Sequence, residues 1–598
     1  MKRQRKVEFT KVLKNNYKMI SYMNRYGKSQ IAVSVICALS STMVTIINLL
    51  SIRYVCNIIT QNSPDSFFYM VLILSLSSVT SALLNFINSY LSNYITPRNA
   101  VKIYKNMRDE LYAKAAGIEL QYYDDTDFYN KFMFAIEQSD QRALAVINSF
   151  ANILSSLFGV LGMSVIIGTL ETDALCIIIV NVILSFCINL IRSKKQHDYV
   201  MTKIPLQRKQ NYVGRIFYLR EYAKEIRMFT RLFDLLEEKL TESTNSIIDI
   251  IIKFGRKLVG LSMINNVFGT IANCIIIVYI AARVIKGEML IGDFLAVISG
   301  SRQFAAKLGN LLNTFPQLYE HSLYIDNFFE FMDIHETERK GGLPLDQIDE
   351  IKMENVGFSY SDSGKEVISN INIDIKRGQR IALVGKNGAG KSTIVKLLTC
   401  LYRVNSGVIY INGLSAYSYD LRQYRNEISV LLQDYELYAM SVAENVLMRS
   451  VTDKEKDEAL VVEALKFVGL YDKILTFRNG IYTNITCEFN SEGVYLSGGE
   501  RQKLALARIY AKQGSLIIMD EPSSALDPNS EREMFDKMRI LSKEKCTVMI
   551  SHRLKNIADA DMIYVLDNGK ILEKGTHSEL MAIHGIYYAM YVDQNQVE

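Results

Sequence analysis

The sequence predicts two halves of different fold class: an α-helical membrane domain of six transmembrane helices over residues 1–335, and an α/β P-loop domain over residues 336–598. Three observations predict this. Apolar runs long enough to cross a bilayer are confined to the chain before about residue 320. Beyond it, short apolar runs alternate with turn residues, as strands do. There the apolar stretch Ile381, Ala382, Leu383, Val384 leads into a glycine-rich loop and then into Ile394, Val395, Lys396, Leu397, Leu398, in the order strand, loop, helix.

The N-terminal 18 residues carry seven basic side chains and one acidic one. Phe9, Val12, Leu13, Tyr17 and Ile20 recur there at helical spacing, which suits an amphipathic helix on the cytoplasmic membrane face or a basic flank that sets topology. No small-residue cleavage site precedes the first apolar run, so that span is expected to be retained. The six expected spans are 31–51, 67–90, 146–170, 174–191, 258–284 and 291–312. Short loops join the spans in pairs. Connections of about 55 and 65 residues separate the pairs and are too long for simple turns. These long connections and the N-terminus are rich in Lys and Arg, whereas the loop between spans three and four carries Glu171 and Asp173. The positive-inside rule therefore puts the long segments, both termini and the second half in the cytoplasm.

Each long connection reads as helix, over 101–116 and 199–240, with an aromatic and charged segment at its tip. One holds Tyr122, Tyr123, Asp124, Asp125, Phe128 and Tyr129; the other holds Lys224, Glu225, Arg227 and Phe229. Four aromatics in eight residues suit docking better than a solvated turn. Inside the sixth span lie Arg302 and Lys307, about 140° apart on a helix; Lys307 is expected to snorkel towards the cytoplasm, leaving Arg302 as the functional candidate. Asn265, Asn266 and Asn273 are expected to bond between helices, and Pro316 to kink or end the sixth span.

The eight cysteines show no CxxC pair and no Cys/His ligand spacing, which argues against a disulfide framework and a zinc site. A net charge of +5 is too small to argue for nucleic acid.

Gly341, Gly342 and Pro344 read as a linker, and residues 351–356 and 371–375 alternate as strands. The loop itself is Gly385, Lys386, Asn387, Gly388, Ala389, Gly390, Lys391, Ser392, Thr393. Its glycines let backbone N–H groups turn inward around an anion, and the following helix adds its N-terminal partial charge. Lys391 reaches β- and γ-phosphates, and the Ser392 hydroxyl suits Mg²⁺. Downstream, the apolar run Leu516, Ile517, Ile518, Met519 ends in Asp520 and Glu521. A carboxylate at a strand end beside such a loop holds Mg²⁺, and its neighbour polarises a water for in-line attack. His552 follows another apolar run and suits a hydrogen bond to a γ-phosphate oxygen. Ser497, Gly498, Gly499 and Glu500 open a further helix pattern, a second phosphate site in a chain with one P-loop, which calls for a partner.

This half closely resembles the nucleotide-binding cassette of ATP-binding cassette (ABC) transporters. The resemblance makes residues 385–393 the Walker A loop, 516–520 the Walker B strand, Glu521 the catalytic glutamate and 496–500 the signature loop. It makes Gln433 the Q-loop residue at the metal, Tyr360 the aromatic that stacks on adenine, Ser524 to Asp527 the D-loop and His552 the switch histidine. Six spans ahead of one cassette look like a type IV exporter half-transporter. The tips near 122–132 and 221–229 take the positions of its two coupling helices. The resemblance implies ATP and Mg²⁺ as cofactors and a dimer, in which each ATP sits between one P-loop and the other subunit's signature loop. In such dimers spans four and five are exchanged, so the second coupling helix meets the partner's cassette. With Glu521 and His552 both present, a homodimer is expected rather than a heterodimer with a degenerate half.

Two positions depart from the family pattern. Glu500 stands where Gln is usual, and residues 484–495 differ from the usual exporter stretch before the signature. The function expected is ATP-driven export by alternating access of a peptide, lipid or amphiphilic drug. The alternative is an ATP-gated channel or regulatory membrane ATPase, which tolerates loss of Glu521 and His552; a soluble ATPase is excluded by the spans. The first coupling segment resembles those of bacterial exporters of ribosomal peptides, whose home is the inner membrane. No cysteine-peptidase domain precedes the first span, so leader cleavage is not expected.

Overall fold

The computed structural model describes residues 9–61, 66–334, 342–360, 366–489, 491–522, 528–551 and 553–596. His552, the D-loop residues 524–527 and the linker residue Gly341 lie outside the described residues. The chain divides into two compact units, Met1–Ala113 with Asn130–Asp333, and Lys114–Tyr129 with Ile334–Glu598.

The first unit is helical throughout. Its elements are α1 (Phe9–Asn24), α2 (Lys28–Gln61), α3 (Ser66–Tyr90) and α4 (Thr96–Gly117), then α5 (Gln121–Asp124), which belongs to the other unit. They continue with α6 (Thr126–Leu170), α7 (Thr172–Tyr218), α8 (Ala223–Met228), α9 (Thr230–Ile285) and α10 (Ile291–Met332). A five-residue π-helical step, Leu91–Ile95, joins α3 to α4 without a break. At 1.5 Å per residue the 56-residue α9 is about 84 Å long, far more than a bilayer needs, so these rods extend beyond their apolar stretches.

Among the described residues, five helices are long and apolar enough to cross a membrane: Lys28–Thr60, Phe67–Gly117, Arg142–Leu170, Thr172–Gln196 and Thr230–Ile285. The sixth expected span lies at the start of α10, which carries Asp293, Arg302 and Lys307 in its first half. Pro316 does not end this helix. It continues to Met332 because its far half is clamped by packing: Leu318, Tyr324, Ile325, Phe328 and Phe331 are buried, and Asn16 Nδ2 donates to Leu318 O at 2.9 Å. Tertiary contacts outweigh the one hydrogen bond that the proline removes.

The clamp is α1, and here the amphipathic expectation needs correction. Leu13 and Tyr17 are exposed; the face formed by Val12, Asn16, Met19, Tyr22 and Met23 is buried instead. It lies against α10. Lys11 Nζ pairs with Asp326 at 2.7 Å, Asn15 Nδ2 donates to Asp326 Oδ1 at 2.8 Å, and Lys18 sits 3.7 Å from the Phe329 ring centroid. The helical period is real, but its buried side faces protein. Met19→Ala is expected to destabilise the folded chain by about 2–5 kcal/mol through the cavity it leaves, read as a lowered melting temperature in detergent. An unchanged Tm would mean that α1 is not docked.

Near the α6–α7 turn, Arg283 Nη1 meets Glu171 Oε2 at 2.6 Å and the Tyr279 hydroxyl donates to Asp173 at 2.7 Å. Arg53 Nε pairs with Asp293 at 2.6 Å, tying α2 to the start of α10. Asn265, Asn266 and Asn273 make no side-chain bond to another helix among the described residues, and Asn265 Oδ1 is buried without a partner.

The second unit has two sheets. Strands β1 (Glu350–Phe358), β2 (Ile368–Lys376), β4 (Ser406–Ile411) and β5 (Leu414–Ser415) form an antiparallel sheet in the order β2-β1-β4-β5. The expected strand pair is registered Ile351 to Ile375 and Met353 to Ile373. The second sheet holds β3 (Arg380–Gly385), β6 (Ile428–Leu431), β7 (Leu516–Asp520), β8 (Cys546–Ile550), β9 (Met562–Asp567) and β10 (Lys570–Gly575), in the order β10-β9-β3-β8-β7-β6. All pairings in it are parallel except β9 with β10. Strands β3, β7 and β8 are buried almost throughout, as strands covered on both faces must be. Because they run parallel, Gly385, Asp520 and Ile550 finish at one edge of the sheet, where ligands of open α/β sheets bind.

Candidate nucleotide site

At that edge β3 turns into the helix Lys391–Leu398. The turn needs glycine: Gly388 and Gly390 have φ of +81° and +102°, and a Cβ on Gly385 would lie 2.3 Å from the carbonyl oxygen of Leu566. Gly390 occupies the N-cap of the helix and supplies no side-chain cap, so the first-turn N–H groups are left to an incoming anion. Lys391 is buried, with Nζ donating to the carbonyls of Gly385 at 2.8 Å and Lys386 at 3.0 Å. Burial pushes its ammonium below the ordinary lysine value, against the opposing pull of Glu521 and Asp520. Lys386 and Asn387 are exposed at the loop tip, Ala389 is buried beneath it, and Ser392 is half-buried. Thr393 is buried, its hydroxyl 3.1 Å from that of Tyr360. Tyr360 packs edge-on against Phe358 and Tyr402, with Lys396 Nζ 5.4 Å from its ring centroid.

Asp520 is 3% exposed at the end of β7, opposite Ile550. Glu521 follows in the left-handed region, φ +51°, with its N–H donating to Ile550 O at 3.0 Å. That conformation is costly for a residue with a Cβ. It turns the carboxylate out of the strand, where Gln433 Nε2 donates to Oε2 at 3.4 Å. Gln433, Lys391 and the consecutive pair Asp520 and Glu521 are thus gathered from three separate segments around one sheet edge. Backbone N–H groups, one ammonium, a hydroxyl, an amide and two carboxylates suit a nucleotide phosphate chain with a divalent cation.

Ser497 caps the helix Gly498–Lys512: its Oγ accepts from Glu500 N–H, and Glu500 Oε2 accepts from Ser497 N–H at 2.8 Å. This capping box explains the departure at Glu500, since Glu closes it as well as Gln does. No hydrogen bond joins Ser497, Gly498 or Gly499 to the P-loop among the described residues. Gln502, one turn further on, went unread in the sequence. It is buried, and its Nε2 donates to Pro522 O, tying the signature helix to the residue after Glu521. A glutamine inside a helix gives no sequence signal for that contact. The divergent stretch 484–495 folds back on itself through Thr486 N–H to Val494 O at 3.0 Å and Val494 N–H to Asn484 O at 2.9 Å, leaving Phe489 exposed.

Of the two segments expected to act as coupling helices, the first holds a helix of only four residues, α5; from Thr126 the chain already belongs to α6, since a continuous helical pattern leaves no room for a longer separate element. Within the cassette unit, Tyr402 donates to Asp124 Oδ2 at 2.7 Å. The second segment is α8, preceded by a 3₁₀ turn, and its Met228 and the following Phe229 are exposed.

Residues 368–524 match the family described as ABC transporter. The subtilin transport ATP-binding protein SpaT of Bacillus subtilis is 28% identical over 85% of this chain and 82% of its own length. The nisin transport ATP-binding protein NisT of Lactococcus lactis subsp. lactis is 27% identical over 88% and 87%. The ATP-dependent lipid A-core flippase of Salmonella typhimurium is 26% identical over 84% and 85%. A solved bacterial Atm1-family ABC exporter with ATP bound superposes with a TM-score of 0.78 over 95% of this chain and 98% of its own, at 21% identity, and so shares the fold. With the P-loop edge of the second unit and the apolar rods ahead of it, these likenesses show a membrane protein that carries an ATP-binding ABC transporter cassette and whose relatives are ATP-driven ABC exporter half-transporters.

Proposed function

We propose that two copies of this chain, each with six spans and a cytoplasmic cassette, export a peptide across the bacterial inner membrane. The observation that carries the reading is the convergence of buried Lys391, buried Asp520 and half-buried Glu521 on one sheet edge beside an uncapped helix N-terminus. In this reading the loop N–H groups and Lys391 bind the triphosphate of ATP, Tyr360 lies against its base, and Ser392, Gln433 and Asp520 hold Mg²⁺. When bound, that ion neutralises charge developing on the phosphates. Glu521 orients and deprotonates the attacking water, and His552 bonds the γ-phosphate. Ser497, Gly498 and Gly499 close the site of the other copy. The exposed Met228 and Phe229 at α8 support a partner cassette as their cover. The first half of α10 serves as the sixth span, with Asp293 paired to Arg53 and Lys307 turned to the interior; that count also returns the chain to the cytoplasm. Peptide cargo is favoured because the subtilin and nisin transport proteins match over most of their length.

Lys391→Ala is expected to weaken ATP binding about 10- to 100-fold, the worth of a charge-assisted contact, measured directly with a fluorescent nucleotide analogue. Unchanged affinity would remove the lysine from the site. For transport, inverted vesicles should accumulate a labelled peptide only with hydrolysable ATP. Hydrolysis without any vectorial movement would favour a regulatory ATPase.

A further inference from the structure

The first unit holds an open cavity of about 660 Å³ between α2, the π-helical step, α4, α6 and α10. It is unlike a bilayer-facing surface. Asn148, Asn152 and Ser155 line it from one face of α6; Asn310, Asn313 and Gln317 line it from one face of α10. Among the described residues, Lys307 is the one charged side chain in the lining, and no carboxylate shares it. Its Nζ donates to Ser155 Oγ at 3.1 Å, and it makes no ion pair among the described residues. Lys307 therefore does not snorkel away, and Arg302 is the residue that is exposed on the outside of the single chain.

The lysine has a prepared place. Gly159 faces it from α6, and a Cβ there would stand 2.9 Å from Lys307 Cγ, so only glycine leaves room for the stem. A cation within an apolar stretch costs about 2.5–3.5 kcal/mol unless something offsets it, and one neutral hydroxyl offsets little. A transient anion would.

We propose that this chamber selects polar peptides by their free C-terminal carboxylate, which Lys307 receives while the amide side chains around it bond the terminal peptide groups. This rests on the exporter reading above and gives it a substrate class. An amphiphilic cation meets a like charge here, and a lipid tail meets amides where it needs apolar walls.

The test uses the full-length protein in phosphatidylcholine nanodiscs. The chain has no tryptophan, so in nanodiscs built on a tryptophan-free scaffold protein a short Ser/Gly/Ala peptide carrying one tryptophan brings the only indole, whose anisotropy reports binding. The free acid is expected to bind about tenfold tighter than its C-terminal amide, the worth of one charge-assisted hydrogen bond. Lys307→Gln should abolish that difference, and Lys307→Arg should keep it. Equal affinity for acid and amide in the unmodified protein overturns the proposal without any variant. So does a difference that survives in Lys307→Gln. Stimulation of hydrolysis by phosphatidic acid with no acid–amide difference assigns the cation to lipid and overturns the peptide reading. In each case nucleotide-driven transport is assayed on the same purified protein reconstituted into sealed phosphatidylcholine vesicles, so that failure of the exporter reading is seen separately.

Discussion

Glu521→Gln lowers ATP turnover by at least about 10²-fold and leaves ATP binding in place. The change keeps the size and the hydrogen-bonding reach of the side chain and removes only its basicity. It also keeps a Cβ at a left-handed position, so the backbone cost at φ +51° is the same before and after. That isolates the carboxylate as the cause. Glu521→Gly is the companion: it relieves the conformational cost and has no base, so turnover stays lost while thermal stability does not fall. The two variants separate loss of chemistry from loss of fold. Near-normal phosphate release from purified Glu521→Gln protein would take Glu521 out of the catalytic role. A bound nucleotide retained through gel filtration, with hydrolysis absent, is the expected signature.

The parts of this site that were legible in the sequence are those in which chemistry and local structure coincide. Lys391 and Ser392 sit in a glycine loop whose strand and helix are written on either side, and Asp520 ends a run that is apolar because both faces of β7 are covered. What the sequence left open depends on partners far along the chain. The left-handed turn at Glu521 comes from its N–H being held by Ile550, on a neighbouring strand. The buried face of α1 was misread because Leu13 and Met19 are both apolar; only α10 decides which one is covered. Pro316 reads as a helix end until the packing beyond it is known. The proposed sixth span does not stand out by composition because the side of α10 that lines the chamber is polar, and composition averages that side with the apolar one. Lys307 was placed by the generic habit of long cations to reach water, which a glycine on the facing helix overrides.

Ser497→Arg abolishes hydrolysis and leaves nucleotide binding at the P-loop largely intact. The serine caps its own helix through Glu500 and makes no hydrogen bond to the P-loop of its own chain among the described residues. In the proposed dimer its backbone serves a nucleotide held on the other copy's P-loop, and a bulky cation there obstructs that site. Loss of the cap alone costs about 0.5–2 kcal/mol, so Ser497→Ala is the control: slightly less stable, with the approach to the partner open. Mixing decides the matter. In a dimer of one Ser497→Arg chain and one Glu521→Gln chain, one site combines both lesions. The other joins an unaltered P-loop half to an unaltered signature half. Neither parent turns over, yet random reassortment puts about half the dimers in the mixed form, each with one intact site of two. About a quarter of the unmodified activity should then reappear, provided that the two sites fire independently. If each site needs its twin, no activity returns, but the mixed dimer still traps nucleotide at the intact site alone. Full activity from a particle shown by mass to hold a single chain, in detergent and in nanodiscs, would end the shared-site arrangement altogether.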